Sequence, residues 1–239
     1  MRFLTLSIFG FVMFFALNTS LVFSAQDKDP KELIQKVTDT DGSYEKLKSL
    51  KDVEYKYTYK SDTSDKADIS IEKYIFDGEL SWAEYKSREY RLMPDKPGKL
   101  IQGYNGQESW ATIDGKLVDD PKILKSADFL RKTNFYWFAM MQKLQDPGSI
   151  LTYVGKKNHN DITYELVKLT FEAGVGDVSD IYLLYINPET NLVDQFLFTV
   201  LDFGVTEPLL MEVKHEKIDE LMLPTYRRYT QSKLEAKVI

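Results

Sequence analysis

The chain has 239 residues, of which 43% are hydrophobic, and its formal net charge at pH 7 is −6. This length is enough for one domain with a substantial hydrophobic core. The acidic balance argues against nucleic acid as a partner, because proteins bind phosphate backbones through basic patches. The sequence contains no cysteine, so neither a disulfide nor a lipidated cysteine is expected.

The N-terminal segment is typical of a secretory signal peptide. Arg2 precedes an apolar run from Leu4 to Phe23, and small residues follow that run. A membrane anchor is the alternative, since the run approaches the ~20 residues that a spanning helix needs. Polar residues near its end favour the signal peptide. We therefore expect a signal peptide over residues 1–24, one domain over residues 25–239, and an exported, periplasmic protein without a stable membrane anchor.

Two short helices are predicted at the start of the mature domain. Asp29 is a suitable N-cap, and Pro30 suits the first helical position. Apolar residues at helical spacing extend this helix to about Asp39, and Gly42 ends it. The same spacing in GSYEKLKSLK predicts a second short helix. We expect both helices to lie across a sheet.

A change of period marks the start of that sheet. From Val53 to Tyr59, one valine and three tyrosines alternate with polar residues, which predicts a half-buried strand. Asn-Gly at 105–106 and Asp-Gly at 114–115 are typical of tight hairpin turns. Further strands are predicted over residues 69–75, 82–92, 99–104 and 109–113. The N-terminal half is therefore interpreted as an antiparallel meander.

The alternation stops between Asp120 and Leu144, where the sequence DPKILKSADFLRKTNFYWFAMMQKLQ predicts an inserted helix. The centre of this helix, from Phe135 to Met141, is apolar all round. A helix without a polar face is buried or covers apolar surface. The Asp-Pro-Gly sequence at 146–148 is expected to end it.

A long hairpin over residues 181–201 dominates the C-terminal half. Two apolar runs flank a turn at 187–191, and both faces of the predicted strands are apolar. Each face must therefore be covered, one by a helix and the other by a closed core or an apolar cavity. The glycine-containing loops at 172–180 and 202–208 are expected to be mobile and to lie at the rim of the sheet. Other strands are predicted over residues 151–154, 164–171, 209–214 and 223–229.

The residues that bear on catalysis and metal binding give weak signals. Glu172, Asp177 and Asp180 are hard oxygen ligands, but they lack the spacing of a calcium loop. His159 and His215 are unpaired, and there is no Gly-x-Ser-x-Gly nucleophile motif. We therefore expect no enzymatic activity, no metal and no cofactor.

The dipeptide Arg227-Arg228 lies in a predicted strand and so sends one guanidinium to each face. One of the two could meet an anionic lipid head group or a protein carboxylate at the rim. A surface ion pair is the alternative.

In its order of meander, inserted helix and second meander, the chain resembles the LolA/LolB-like superfamily of envelope lipoprotein carriers, and more closely an exported branch of uncharacterised proteins in that superfamily. The segments that carry the resemblance are DGSY at 41–44, TNFYWFAM at 133–140, LQDPG at 144–148, GVGD at 174–177 and YINPET at 185–190. The resemblance implies an α+β fold, in which a strongly curved antiparallel sheet forms an incomplete barrel and helices cover its concave apolar face. It also implies that this face holds acyl chains.

The resemblance and the apolar helix together predict a ligand site. Trp137, Met140, Met141 and Leu144 share a helix face, and flexible methionines adapt to variable ligands. Phe196 and Phe198 lie on one face of the hairpin, with Leu197 on the other. The predicted contact residues are Phe135, Trp137, Phe138, Met140, Met141, Leu144, Phe196 and Phe198.

The predicted partner is a hydrophobic small molecule or the acyl chain of a lipid or lipoprotein, carried in the periplasm. Ordinary core packing of the same stripe remains the alternative for the site. The matching alternative for the function is a non-enzymatic envelope interaction or structural protein with a filled core and an envelope protein as its partner.

Overall fold

The computed structural model describes residues 28–175, 180–201 and 204–231. The predicted signal peptide lies outside these ranges, as do parts of the two glycine-containing loops, so their predicted mobility stays a prediction. No helix in the described ranges is both long and apolar enough to cross a membrane.

The elements are α1 (Pro30–Asp41), α2 (Tyr44–Ser49), β1 (Asp52–Lys60), β2 (Ala67–Ile75), β3 (Leu80–Arg88), β4 (Leu100–Tyr104), β5 (Ser109–Ile113), β6 (Lys116–Leu117), α3 (Pro121–Ala139), β7 (Ser149–His159), β8 (Ile162–Phe171), β9 (Tyr182–Ile186), β10 (Val193–Val200), β11 (Val205–Ile218) and β12 (Leu221–Gln231).

The strands form two antiparallel sheets of six strands each, in the orders β1 to β6 and β12 to β7. The predicted α+β fold, with a curved antiparallel sheet that does not close and helices packed on it, is confirmed. The hydrogen-bonded ladder is divided in two, however, and side chains connect the edge strands β1 and β12. The hydroxyl groups of Tyr59 and Tyr229 bond to each other, and Arg228 pairs with Asp62 at 2.9 Å.

The N-terminal helices begin and end as their sequence predicts. The Asp29 carboxylate accepts the Lys31 N–H at 2.8 Å, and the Ser43 hydroxyl accepts the Lys46 N–H at 3.2 Å. Gly42, with a φ of 93°, separates the two helices. The apolar residues of α1 pack into a core cluster with the inner face of β7–β11.

Strand β2 has the reverse of the burial that its apolar residues suggest. Ser70, Glu72 and Tyr74 are buried, whereas Ile75 is 47% exposed. The buried polar residues face α3, which supplies a charged partner for Glu72, described below. Alternation of hydrophobicity alone would predict that the isoleucines of β2 are buried and its polar residues exposed. The charged partner on α3 explains why the polar face is buried instead.

Helix α3 begins as predicted, with the Asp120 carboxylate accepting the Lys122 N–H at 2.9 Å and with Pro121 at the first position. It ends at Ala139, so the prediction that it continues to Leu144 was wrong. After Ala139 the chain continues in turns, in which the N–H groups of Gln142 and Lys143 both bond to the Ala139 carbonyl, at 3.0 and 3.1 Å. The helix packs mainly on β3, β4 and β5.

The predicted hairpin is formed by β9 and β10, with Leu197 opposite Leu183 in the register. Both of its faces are buried, as the sequence predicts. Phe196 and Phe198 face the same core cluster as α1, and Leu197 lies in a second cluster on the other face. Strand β11 begins at Val205, so the prediction of a loop over 202–208 was wrong from Val205 onward. Val205 pairs with Val200 of β10.

Candidate ligand site

The eight predicted contact residues divide between two hydrophobic clusters. Cluster I joins α1, the turn after α3 and the inner face of β7–β11. It holds Met140, Met141, Leu144, Phe196 and Phe198, with Trp137 packed against it. Cluster II joins α2, β2, α3 and β12, and it holds Phe135, with Phe138 packed against it. Adjacent residues of α3 therefore contact different sheets.

Trp137 contacts the second sheet from α3, as does its neighbour Tyr136, whose ring centroid lies 6.1 Å from that of Tyr182. The Trp137 ring meets Phe198 edge to face, with the ring centroids 5.2 Å apart. The indole N–H is buried and makes no hydrogen bond of normal geometry to a described residue. Burial raises the pKa of Tyr182, and the Trp137 side chain opposes that rise as a donor to the hydroxyl. The indole N–H is therefore directed toward the Tyr182 hydroxyl.

Phe138 points the other way. Its ring stacks on Tyr55 of β1 at 5.2 Å and meets Tyr74 of β2 edge to face at 5.4 Å. Phe135 also packs on Tyr74, at 5.3 Å. Aromatic pairs at these separations contribute to stability beyond their area. This side of α3 is therefore a closely packed aromatic core against β1 and β2.

The turn after α3 is held by polar side chains. The Gln142 amide donates to the backbone carbonyls of Asp41 and Met222, at 3.2 Å each. Lys143 bonds to Glu79 at 2.5 Å, and its ammonium lies 4.1 Å from the centroid of the Tyr44 ring. These contacts fix residues 140–144 against α1, α2 and β12.

A buried ion pair fixes the middle of α3 to the first sheet. Arg131 donates to both carboxylate oxygens of Glu72, at 2.5 and 3.2 Å, and also to the Tyr85 hydroxyl at 3.1 Å. Ser70 and Tyr74 donate to the same carboxylate, at 2.7 and 3.2 Å. A bidentate pair with additional donors is the geometry in which a buried charge pair is best satisfied. This pair was not predicted from the sequence.

A second buried polar group lies where α1 ends. Both oxygens of the Asp41 carboxylate are buried without a hydrogen bond to a described residue, and Nε2 of His215 is 4.0 Å away. Burial raises the pKa of Asp41 to about 8 and lowers the pKa of His215. At neutral pH both groups are therefore uncharged, so they form no salt bridge.

The two arginines of β12 point to opposite sides, as predicted. Arg228 forms the surface ion pair with Asp62. Arg227 instead points toward α3, where it donates to the Trp137 carbonyl at 2.5 Å and its guanidinium carbon lies 5.7 Å from the centroid of the indole ring. A backbone carbonyl as partner was not among the predicted possibilities.

The described residues contain no group of three or more acidic or histidine side chains placed to hold a metal ion. Of the candidate calcium ligands, Asp177 lies outside the described ranges. The carboxylate of Asp180 accepts the Leu201 N–H at 2.9 Å. His159 lies at the end of β7.

The fold has counterparts among solved structures. A DUF1329 family protein from Desulfovibrio piger is similar with a TM-score of 0.51 and 16% identity, over 85% of this chain and 87% of that chain. A LolA superfamily protein from Nitrosomonas europaea gives a TM-score of 0.48 and 10% identity, over 87% of this chain and 88% of that chain. The lipoprotein LppX from Mycobacterium tuberculosis gives a TM-score of 0.31 and 11% identity, over 74% of this chain and 91% of that chain.

The Desulfovibrio piger structure establishes a shared fold and, at its low identity, nothing further. The fold is LolA-like, so the predicted resemblance to the LolA-like superfamily is confirmed at the level of the fold. A model of a family of unknown function, DUF6503, matches residues 10–207. The chain therefore belongs to the DUF6503 family. No curated protein matches the sequence.

Proposed function

We propose that this protein binds and carries a hydrophobic ligand, the acyl chain of a lipid or lipoprotein, in the periplasm after its signal peptide is removed. The observation that carries the proposal is cluster I, in which methionines and aromatic rings from α1, the end of α3 and the second sheet meet across a contact between helices and sheet. Such a surface can repack around a chain of variable shape, because methionine has several rotatable bonds and no polar group.

The lid is defined as residues 129–144. Arg131 fixes its first part to β2 and β3, so lifting α3 from the first sheet would leave a buried charge without its partner. The displacement that admits a ligand is therefore a separation of Trp137 and Met140 from the inner face of β7–β11. The first sheet and α3 move together in this mechanism. The bonds from Gln142 to the Met222 carbonyl and from Arg227 to the Trp137 carbonyl, which join this segment to β12, must therefore break.

The affinity expected from this mechanism is modest. Burial of a methylene group contributes ~0.8 kcal/mol, so ten methylenes contribute about 8 kcal/mol, the equivalent of a micromolar dissociation constant. Separating the packed side chains of cluster I offsets part of this gain. A carrier must also release its ligand, which is compatible with such an affinity.

One observation favours the alternative of a filled core. Met140, Met141, Leu144, Phe196 and Phe198 are all between 0 and 2% exposed, and they pack in one cluster. An envelope interaction protein would need these residues only as core. The two functions predict different responses to a ligand, so a binding experiment separates them.

The experiment is a titration of the mature chain, residues 25–239, with a dansyl-labelled undecanoic acid, followed by competition with unlabelled hexadecanoic acid. Carriage of an acyl ligand predicts saturable uptake of the probe and its displacement by the competitor. Fluorescence that does not saturate, or that the competitor leaves unchanged, would instead support the filled core.

A further inference from the structure

Arg227 is a partly buried cation without a counter-ion in the described part of the chain. No carboxylate of the described residues lies within 4.0 Å of its guanidinium, whereas the adjacent Arg228 is paired with Asp62. Its one hydrogen bond there goes to a neutral acceptor, the Trp137 carbonyl. A guanidinium removed from water is normally paired with an anion, because desolvation of an unpaired charge is costly.

The other groups around Arg227 add donors and aromatic surface. The Trp137 ring lies beneath the guanidinium, and its buried N–H lacks a hydrogen bond of normal geometry to a described residue. Arg227 also acts on Tyr55 and Tyr57 of β1, where it opposes the rise that burial causes in the pKa of each hydroxyl. Glu72 acts on both hydroxyls in the opposite sense, but its carboxylate is paired with Arg131. Among the described residues, this corner between β1, β12 and α3 therefore offers Arg227 aromatic surface and no carboxylate within 4.0 Å.

Cluster I begins directly beside this corner. Trp137 contacts Phe198, and Phe198 is continuous with Phe196 and Tyr182, at centroid separations of 5.8 and 6.5 Å. A single amphipathic molecule would thus meet a cation at one end and an apolar cluster along its length. The order of these groups matches a negatively charged head group followed by an acyl chain.

We propose that Arg227 is the head-group site for an anionic acyl ligand, whose carboxylate or phosphate pairs with the guanidinium while its chain enters cluster I beside Trp137. This inference rests on the function proposed above and specifies the class of ligand. The charge selects among hydrophobic molecules, since a neutral chain leaves Arg227 unpaired.

The test compares three ligands of equal chain length on the mature protein: hexadecanoic acid, hexadecyl phosphate and hexadecanol, each as a competitor of a dansyl-labelled undecanol probe. The wild-type protein is expected to prefer at least one anion over the alcohol by about tenfold or more, the worth of one charge-assisted pair. Which anion binds more tightly distinguishes a carboxylate from a phosphate head group.

Arg227→Gln should abolish this preference, weakening the preferred anion by about tenfold while changing hexadecanol by less than about threefold. Arg228→Gln is the matched control, because it lies next along the same strand on the opposite face, and it should retain the preference. Equal loss for anion and alcohol in Arg227→Gln would overturn the inference, since it would mean that Arg227 only supports Trp137.

The comparison of the three ligands on the wild-type protein needs no variant, so it tests the role of Arg227 even if Arg227→Gln does not fold. Equal binding of all three ligands would overturn the inference and leave the proposed function standing. No binding of any of them would overturn the proposed function and the inference with it.

Discussion

Arg131 of α3 and Glu72 of β2 form an ion pair in which neither side chain has any exposure to solvent. The pair joins the only fully buried arginine of the described residues to a strand whose apolar residues face outward. A buried charge pair is weak evidence for stability by itself, since apolar residues of similar size often serve as well. Removal of one partner is costly, however, and this asymmetry makes the pair an anchor for α3.

Arg131→Met should destabilise the protein by about 3–5 kcal/mol, because it leaves Glu72 charged and buried without its cation. The free energy of unfolding from urea denaturation measures the effect. Adding Glu72→Gln to the same chain should restore most of the loss, since Ser70 and Tyr74 can still donate to the neutral amide oxygen.

The control for this series is Lys132→Met, which removes the next cation on α3 and its pair with Asp128 at 3.1 Å. This partly exposed pair should contribute less than about 1 kcal/mol. If Arg131→Met cost no more than Lys132→Met, the proposed anchoring of α3 to the first sheet would be wrong.

Asp41 should make stability fall as the pH rises. Its pKa is raised by burial from 3.8 to about 8, so the folded protein holds a proton that the unfolded chain releases between these values. The stabilisation is complete below pH 3.8 and is lost as the pH approaches 8. Asp41→Asn cannot ionise and lacks this dependence.

Between pH 5 and 8 the wild type should therefore lose stability relative to Asp41→Asn. The loss in its free energy of unfolding should be up to about 1.4 kcal/mol per pH unit. His215 has a lowered pKa, so its own contribution is lost as the pH falls below 6.5, and the window from pH 6.5 to 8 isolates Asp41. A difference that is constant with pH would contradict a neutral, buried Asp41.

Trp137→Ala should weaken acyl binding by about tenfold or more, because the indole ring forms part of cluster I beside Phe198. Its backbone carbonyl, and therefore the bond from Arg227, remains in the variant. Uptake of the dansyl-labelled probe and thermal unfolding are measured together. A large fall in melting temperature with unchanged affinity would contradict the lid mechanism.

Phe138→Ala is the matched partner of that variant. It removes a ring of similar burial from the adjacent position, but this ring packs on Tyr55 and Tyr74 of the first sheet. We expect a loss of stability of about 3–5 kcal/mol, within the range for large aromatic deletions, and a smaller change in affinity than for Trp137→Ala. Equal effects on affinity would place the ligand on both sides of α3.

Asn187 should stabilise the central hairpin through its side chain. Its amide oxygen accepts the Glu189 N–H at 3.0 Å, and its amide nitrogen donates to Asp194 at 2.8 Å. Asn187→Ala removes both of these partly buried bonds, so we expect a cost of about 1–3 kcal/mol in urea denaturation. Glu189→Ala, at an exposed position of the same turn, should be nearly neutral.

Local patterns predicted most of the fold. The cap at Asp29, the start of α3, the fifth strand and the hairpin around Asn187 lie where the sequence placed them, because their signals depend on neighbouring residues alone. The end of α3 was not predicted, since Gln142 makes tertiary bonds to residues about 80 and 100 positions away in the chain.

Long-range pairing also limited prediction of the site. Glu72 and Arg131 are 59 positions apart, and each alone looks like an ordinary surface charge. A signal was present in β2, where isoleucines alternate with serine and glutamate, but it favours the wrong face. Phe138 and Trp137 were likewise predicted to share one site, because both are apolar and adjacent. In the structure, Phe138 packs on the first sheet and Trp137 packs on the second.

Native mass spectrometry of the mature protein, purified from an envelope fraction, tests whether the protein carries an acyl ligand. A carrier should show adducts with the mass of acyl lipids, which disappear on organic extraction and are identified in the extract. A clean mass without adducts, together with no uptake of the dansyl-labelled undecanoic acid, would contradict it.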